Sequence, residues 1–83
     1  AEGNVILACM SIMVEGTKAH SVIKEQSQES AVQCLHKTNG KWDILVELRS
    51  DTLENFDKVL ERIRNISGIY NSETSILLAS HKT

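Results

Sequence analysis

Three histidines and two cysteines are the residues of this 83-residue chain best suited to act as bases, nucleophiles or metal ligands. Nucleophilic catalysis requires a base beside the nucleophile and a third group that orients the base. Cys34 and His36 fall two residues apart on a predicted strand and point to the same side, but the sequence identifies no third group. His20 falls on a predicted helix and His81 in the C-terminal tail. We therefore expect no catalytic residues and no enzymatic activity.

Spacings typical of metal and phosphate sites are also missing. The sequence contains no pair of cysteines separated by two residues and no pair of histidines separated by three. Cys9 and Cys34 each fall in a predicted strand, and we expect both to be buried free cysteines that behave as small apolar residues. The 4 glycines are isolated, so no glycine-rich phosphate loop is formed. We expect neither a metal ion nor a cofactor.

Charge and hydropathy narrow the class of partner. The formal net charge is -2, the pI is about 5.9, and Lys and Arg form no cluster longer than two adjacent residues. A nucleic-acid-binding domain normally carries a basic face, so we expect no direct binding of nucleic acid. The longest apolar run, Val5 to Met10, is too short to span a bilayer, and no signal peptide is recognisable. We expect a cytoplasmic protein without membrane contact.

Six elements can be read along the chain. Residues 5–14 are apolar on both alternating faces, which is typical of a central strand. A helical pattern runs from Thr17 to about Gln28, and its inner stripe is Ala19, Val22, Ile23 and Gln26. Residues 30–38 alternate weakly, as an edge strand does, and residues 41–49 alternate cleanly. Between them stands Asn39-Gly40, a dipeptide that tolerates positive φ at both central positions of a tight hairpin turn.

A second helix and a last strand complete the pattern. Asp51 begins a segment with the spacing of a capping box, in which Asp replaces Ser or Thr. Behind it, apolar residues recur every three or four positions: Leu53, Phe56, Val59, Leu60, Ile63 and Ile66. Ser67-Gly68 is suited to end this helix. The last strand is predicted over residues 69–80.

This order of elements predicts one α+β domain over residues 1–83 with the ferredoxin-like βαββαβ fold. Right-handed crossovers give a four-stranded antiparallel sheet in the order 4-1-3-2 and place both helices on one face. The other face stays bare although it carries apolar side chains: Val5, Leu7, Cys9, Met13 and Leu45. Leaving several such side chains in water costs several kcal/mol, on the order of a small domain's stability. We expect a second copy to cover this face in a homodimer.

The residues from His36 to Val46 resemble the G-x-(Y/W)-D-aliphatic hairpin of the Lrp/AsnC regulators, in their effector-binding RAM domain. Ile66-Ser67-Gly68-Ile69 is similar to that family's (L/I)-P-G-V segment, and residues 72–78 resemble its T-x-T-x-aliphatic-aliphatic-L strand. The helix-turn-helix domain that precedes this domain in the family does not occur in the chain. The likeness is therefore to the stand-alone RAM proteins.

The resemblance implies dimerisation through the open sheet faces, assembly of dimers into an octamer or another ring, and binding of amino acids between subunits. It implies a ligand site made of Gly40, Lys41, Trp42, Asp43, Ser72 and Thr74. A carboxylate and several hydroxyl and backbone groups in a partly desolvated cleft would suit a zwitterion. Lys41 replaces a frequent acidic residue of the motif and Trp42 replaces the usual Tyr, which changes the charge and the wall of the pocket.

Two further roles stay open beside amino-acid sensing, in which the module would act on a partner such as a full-length regulator of the same family. The cytosolic chaperones that mature periplasmic nitrate reductase share this topology and bind a twin-arginine signal peptide on the sheet. A structural dimer or ring without any ligand is the third possibility. Asp43, in that case, only braces the turn, and Ser72 and Thr74 are ordinary edge-strand residues.

Overall fold

A computed structural model describes residues 5–77 of the chain. It contains the strands and helices in the order β1 (Ile6–Val14), α1 (Ala19–Gln26), β2 (Val32–Lys37), β3 (Ile44–Ser50), α2 (Leu53–Arg64) and β4 (Ile69–Ile76), with a 3₁₀ turn over Gly16–Lys18 before α1. The last strand thus ends earlier than its predicted limit, and residues 78–80 of that prediction lie outside the described residues. None of the described helices is long and apolar enough to cross a membrane.

The four strands form one antiparallel sheet in the order β2-β3-β1-β4. This is the predicted 4-1-3-2 order read from the opposite edge, so the ferredoxin-like α+β fold is confirmed. The two most apolar strands, β1 and β3, lie in the middle. These two strands pair from Ile6 opposite Ser50 to Ile12 opposite Ile44, and this pairing forms the centre of the sheet.

The core lies between one face of this sheet and the two helices. Alternate residues of β1 and β3 are buried there together with the inner stripes of both helices. The fully or nearly fully buried apolar side chains are Ala8, Met10, Ile12, Val22, Ile44, Val46, Leu48, Phe56 and Ile63. Because side chains alternate along a strand, the remaining residues of β1 and β3 must point to the opposite face, which no described element covers. We call this the open face.

The second helix begins one residue later than the sequence predicted. Its N-cap is Thr52, whose hydroxyl oxygen accepts a hydrogen bond from the Asn55 backbone N–H at 3.1 Å. Asp51 instead accepts from the Asn55 side-chain amide at 2.8 Å. The predicted capping box on Asp51 was wrong, because the hydroxyl at position 52 can reach the backbone N–H three residues on. Leu53, predicted to lie on the buried stripe, is the first residue of α2 and is 60% exposed.

Gly68 allows the chain to turn from α2 into β4. Its φ is 106°, a conformation that other residues rarely adopt. A Cβ atom at this position would lie 2.7 Å from the Lys18 Cβ atom and 3.0 Å from a methyl carbon of Val22. The glycine therefore serves both the turn and the close approach of α1 to the start of β4.

The hairpin between β2 and β3 has a longer loop than the Asn39-Gly40 dipeptide predicted. The Thr38 N–H donates to the Asp43 carbonyl at 3.0 Å, which leaves four residues, 39–42, in the loop. Neither Asn39 nor Gly40 has a positive φ. The register of the strands consequently differs by two residues from that of a two-residue turn. A shift of two preserves which face each side chain occupies, so the predicted faces of β3 are correct.

Candidate functional site

Asp43 fixes the hairpin loop to the central strand. Its backbone N–H donates to the Ile12 carbonyl at 2.9 Å, and its Oδ2 atom accepts from the backbone N–H of Val14 at 3.0 Å. The side chain is half-buried. The carboxylate thus accepts a hydrogen bond from the last residue of β1. At this point the register between β1 and β4 shifts, between Met13 and Val14. Since a carboxylate accepts several hydrogen bonds, this bracing leaves acceptor capacity for a ligand.

The tip of the loop combines a cation with an aromatic ring. Gly40 donates its N–H to the Thr38 hydroxyl at 2.9 Å, which folds the loop on itself. Beyond it, the Lys41 Nζ atom lies 5.5 Å from the centre of the half-buried Trp42 ring. That separation is within the range of a cation–π contact. Next to Asp43, the tip offers an ammonium group and an apolar wall.

Ser72 and Thr74 lie on β4, on the same face of the sheet as the helices. Ser72 is the register partner of Ile12, and Thr74 is the partner of Met10. Both are half-buried. The Thr74 hydroxyl oxygen is inaccessible to solvent and receives no hydrogen bond among the described residues. Buried hydroxyls in folded proteins usually have a hydrogen-bond partner, so this one is an exception.

The structure places the two predicted segments at neighbouring positions without joining them. Asp43 and Ser72 lie on opposite sides of Ile12. The backbone N–H of Asp43, just before β3, donates to the Ile12 carbonyl, and Ser72 is the register partner of Ile12 on β4. With strands about 4.8 Å apart, their backbones are separated by roughly 10 Å. Thr74 lies two residues farther along β4, about 7 Å from Ser72. These groups do not converge on one small zwitterion within a single chain.

The residues predicted at the dimer interface all belong to the open face or continue it. Leu7 is 42% exposed there, and Cys9, Met13 and Leu45 are half-buried. Leu77 is 52% exposed, and its N–H donates to the Leu7 carbonyl at 2.8 Å, which extends the apolar strip past the end of β4.

Charged residues interrupt this face. Arg49 is paired with Leu7 in the sheet register, and Glu47 is paired with Cys9. The open face is therefore an apolar strip along β1 with charged groups on β3.

A group that sequence reasoning missed lies at the β2 edge of the open face. Potential metal-ligating atoms of Cys34, His36 and Glu47 all lie within 4.8 Å of one another, and all three residues are exposed. The His36 Nε2 atom is 3.7 Å from the nearer Glu47 carboxylate oxygen. Sequence analysis placed Cys34 and His36 on one side of a strand but found no third group. The strand register supplies it, since Glu47 is the partner of Cys34.

A polar groove of about 380 Å³ lies at the end of β3 that is remote from the hairpin loop. It is lined by Ser30, Ala31, Arg49, Ser50, Asp51, Asn55, Lys58, Val59 and Arg62. Beside it, the Arg62 guanidinium donates two hydrogen bonds to the Glu29 carboxylate, at 2.7 and 2.9 Å. These hydrogen bonds, together with the positive charge of Arg62, lower the pKa of Glu29 despite its partial burial. Sequence analysis did not predict this groove.

Comparison with known proteins shows that the chain is similar to the ligand-binding domain of transcription regulators. Residues 7–83 match the model of the Lrp/AsnC ligand binding domain. The HTH-type transcriptional regulator FL11 of Pyrococcus horikoshii is 27% identical over 82 residues, which are 99% of this chain and 54% of that protein. The chain therefore spans about half the length of the curated relatives it matches.

Solved structures share the fold. The structure of Escherichia coli AsnC superposes with a TM-score of 0.86 and 20% identity, covering 96% of this chain and 54% of that one. The L-Met complex of a transcriptional regulator from Neisseria meningitidis superposes with a TM-score of 0.84 and 15% identity, covering 94% of this chain and 53% of that one.

Proposed function

The chain belongs to the Lrp/AsnC ligand-binding domain family, and from that premise we propose that it is an amino-acid-sensing regulatory module. The observation that carries the proposal is the match of this family over residues 7–83. Its role is binding rather than catalysis, because the family is a regulatory one. It acts in the cytoplasm, where transcription regulators work.

An amino acid is the ligand class with most support. One structural neighbour is a transcriptional regulator in complex with L-Met. In this chain, Asp43 offers a carboxylate to an α-ammonium group, and Trp42 offers an apolar wall to a side chain. The Lys41 ammonium beside the ring is a suitable partner for an α-carboxylate. Ser72 on β4 is half-buried and offers a hydroxyl as a further donor or acceptor for a bound polar ligand.

The site is completed between two copies of the chain. Within one chain the hairpin tip and the hydroxyls of Ser72 and Thr74 are separated by β1, and an amino acid is too small to bridge them. A ligand held by Asp43 of one copy and by β4 of another would be enclosed by both. Because Ser72 and Thr74 lie on the helix-facing side of β4, this contact differs from the open-face dimer and joins neighbouring dimers, which couples ligand binding to ring assembly.

Dimerisation proceeds through the open face. Its apolar strip is left uncovered by the described helices and is formed by Val5, Leu7, Cys9, Met13 and Leu45. Burying a leucine side chain contributes about 1.5–3 kcal/mol, so a strip of this size provides a strong driving force. Dimers of this kind further assemble into an octamer or another ring.

The downstream partner is a transcription regulator. FL11 and AsnC are about twice as long as this chain, and FL11 is an HTH-type transcriptional regulator. We assign to this chain the modulation of such a full-length regulator and no direct contact with nucleic acid, since its net charge is -2. The twin-arginine-binding chaperone role is not favoured, because the family match accounts for residues 7–83.

A thermal-shift screen against the twenty amino acids tests the proposal. A ligand at 100 times its Kd adds about 2.7 kcal/mol of stability. For a domain of this size, that corresponds to a rise in Tm on the order of 10 °C. At least one amino acid should raise Tm in a concentration-dependent way. A flat response to all twenty from a chain that is a stable dimer would contradict sensing and leave the structural-dimer role.

A further inference from the structure

Cys34, His36 and Glu47 form a compact group of three different metal-ligating side chains on the open face. Cys34 and His36 are two residues apart on β2, so both point to the same side of the strand. Glu47 is the register partner of Cys34 on β3 and a diagonal neighbour of His36. All three side chains therefore project from adjacent, hydrogen-bonded strands, which position ligands more rigidly than a loop does.

The separations between their polar atoms fit a shared ion better than a direct hydrogen bond. The His36 Nε2 atom lies 3.7 Å from the Glu47 Oε2 atom, which is longer than the roughly 2.7–3.2 Å of a hydrogen bond. Ligands that are about 2.0–2.3 Å from a tetrahedral Zn²⁺ lie roughly 3.3–3.8 Å from one another. The thiol of Cys34 completes a triangle with sides of no more than 4.8 Å, which small side-chain rotations can close around an ion.

We propose that Cys34, His36 and Glu47 bind a divalent transition-metal ion of the Zn²⁺ type. A thiolate, an imidazole and a carboxylate together suit Zn²⁺, whereas Mg²⁺ and Ca²⁺ prefer oxygen ligands alone. Three protein ligands leave one position of a tetrahedral ion for water or a group from another molecule. An exposed ion pair between His36 and Glu47 would make no use of Cys34, so the effect of Cys34→Ser distinguishes it from a metal site.

The metal site is separate from the proposed amino-acid site. It lies on the open face of β2 and β3, whereas Ser72 and Thr74 lie on the helix-facing side of β4. The hairpin loop that carries Asp43 is in the same hairpin, but Glu47 is four residues farther along the chain, roughly 13 Å away on an extended strand. Loss of one site therefore leaves the other chemically intact, and the two proposals can fail independently.

Titration of the reduced, metal-free chain with Co²⁺, followed by absorption spectroscopy, tests the site. Binding through a thiolate should produce a saturable near-ultraviolet charge-transfer band, and Zn²⁺ should displace it. Cys34→Ser should abolish the band. His36→Ala and Glu47→Gln should each weaken Co²⁺ binding by about tenfold or more, since even indirect changes around a metal cost that much. These exposed positions tolerate substitution, and circular dichroism should show an unchanged fold.

Two matched controls keep the assignment falsifiable. Cys9→Ser removes the chain's other thiol, which faces Glu47 from β1 but does not belong to the group of three, and His20→Ala removes an exposed histidine of α1. Both variants should keep the cobalt band. The proposal is overturned if the wild-type chain shows no such band, if Cys34→Ser retains it, or if Cys9→Ser abolishes it. A band that persists at full affinity in both His36→Ala and Glu47→Gln would equally contradict it.

Discussion

The Asp43 carboxylate and the Val14 backbone N–H are joined by a 3.0 Å hydrogen bond between residues that are 29 positions apart. The bond attaches the β2–β3 hairpin loop to the end of the central strand β1. It also fixes a negative charge next to Lys41 and Trp42 at the loop tip. One side chain thus serves both the fold and the proposed ligand site, and substitutions can separate these two roles.

Asp43→Ala should destabilise the domain, and Asp43→Asn should not do so to the same extent. Alanine leaves the partly buried Val14 N–H without its acceptor, which costs about 1–3 kcal/mol. The asparagine carbonyl oxygen can still accept that hydrogen bond but carries no charge. Urea unfolding should place Asp43→Asn within about 1 kcal/mol of the wild type. Equal losses in both variants would show that the charge, rather than the hydrogen bond, stabilises the loop.

Gly68→Ala, which adds one methyl group, should be strongly destabilising. The positive φ of 106° and the 2.7 Å approach to the Lys18 Cβ atom both oppose a side chain. We expect a loss of about 2 kcal/mol or more in the free energy of unfolding. Gly16→Ala is the control, because a Cβ atom there has no neighbour within 4 Å. Thermal unfolding that ranks the two variants equally would refute this explanation of Gly68.

The pair of Arg62 and Glu29 should make stability depend on pH in the acid range. Arg62 lowers the pKa of Glu29 from its ordinary value of 4.5. The stabilisation is therefore complete above that ordinary value and is lost as the pH falls through the lowered one. Since Arg62 is half exposed, water screens the ion pair, and Arg62→Met should lower the free energy of unfolding only slightly near neutral pH.

Urea unfolding of wild type and Arg62→Met, near neutral pH and at about pH 2, measures this dependence. The difference between the two proteins should shrink at the lower pH. Arg64→Met is the matched control, because Arg64 also lies in the last turn of α2 and makes no ion pair with the described residues. A difference that stays constant with pH would mean that Arg62 acts through packing instead of through Glu29.

Leu7→Glu should dissociate the proposed dimer. A charge placed in the centre of the apolar strip would be desolvated by the second copy, which costs several kcal/mol. We expect the dimer Kd to rise by about a hundredfold or more. Leu53→Glu is the control, since Leu53 is an exposed leucine of α2 on the opposite side of the sheet. Sedimentation equilibrium in which both variants dissociate alike, or in which the wild type is monomeric at micromolar concentration, would exclude the open face as the interface.

The architecture could be predicted from the sequence, because it depends only on the pattern of apolar residues and on the order of strands and helices along the chain. Apolar residues on both faces of residues 5–14 required a central strand, and the strand-helix-hairpin-helix-strand order then left one common topology. The faces of β3 were also predictable, although the loop was longer than Asn39-Gly40 suggested. Thr38 and Asp43 close that loop through side-chain and backbone hydrogen bonds that local turn preferences do not encode.

The candidate sites were less predictable because they depend on register between distant strands. Cys34 and His36 were visible as a pair, but Glu47 joins them only through the pairing of β2 with β3. Similarly, the face of the sheet on which Ser72 and Thr74 lie follows from the pairing of β4 with β1. The alternation of side chains within one strand shows which residues share a face. It does not show whether that face is the open one or the one that the helices cover.

The measurement that tests the central claim most directly is isothermal titration calorimetry with the amino acid that gives the largest thermal shift. Saturable binding to the wild-type chain is expected, and Asp43→Asn should weaken it by about tenfold or more because the α-ammonium group loses its charged partner. Glu73→Gln, a neutralised carboxylate on the open face of β4, should bind like the wild type. Absence of binding to the wild type, or equal affinity for Asp43→Asn, would contradict an amino-acid site at the hairpin tip.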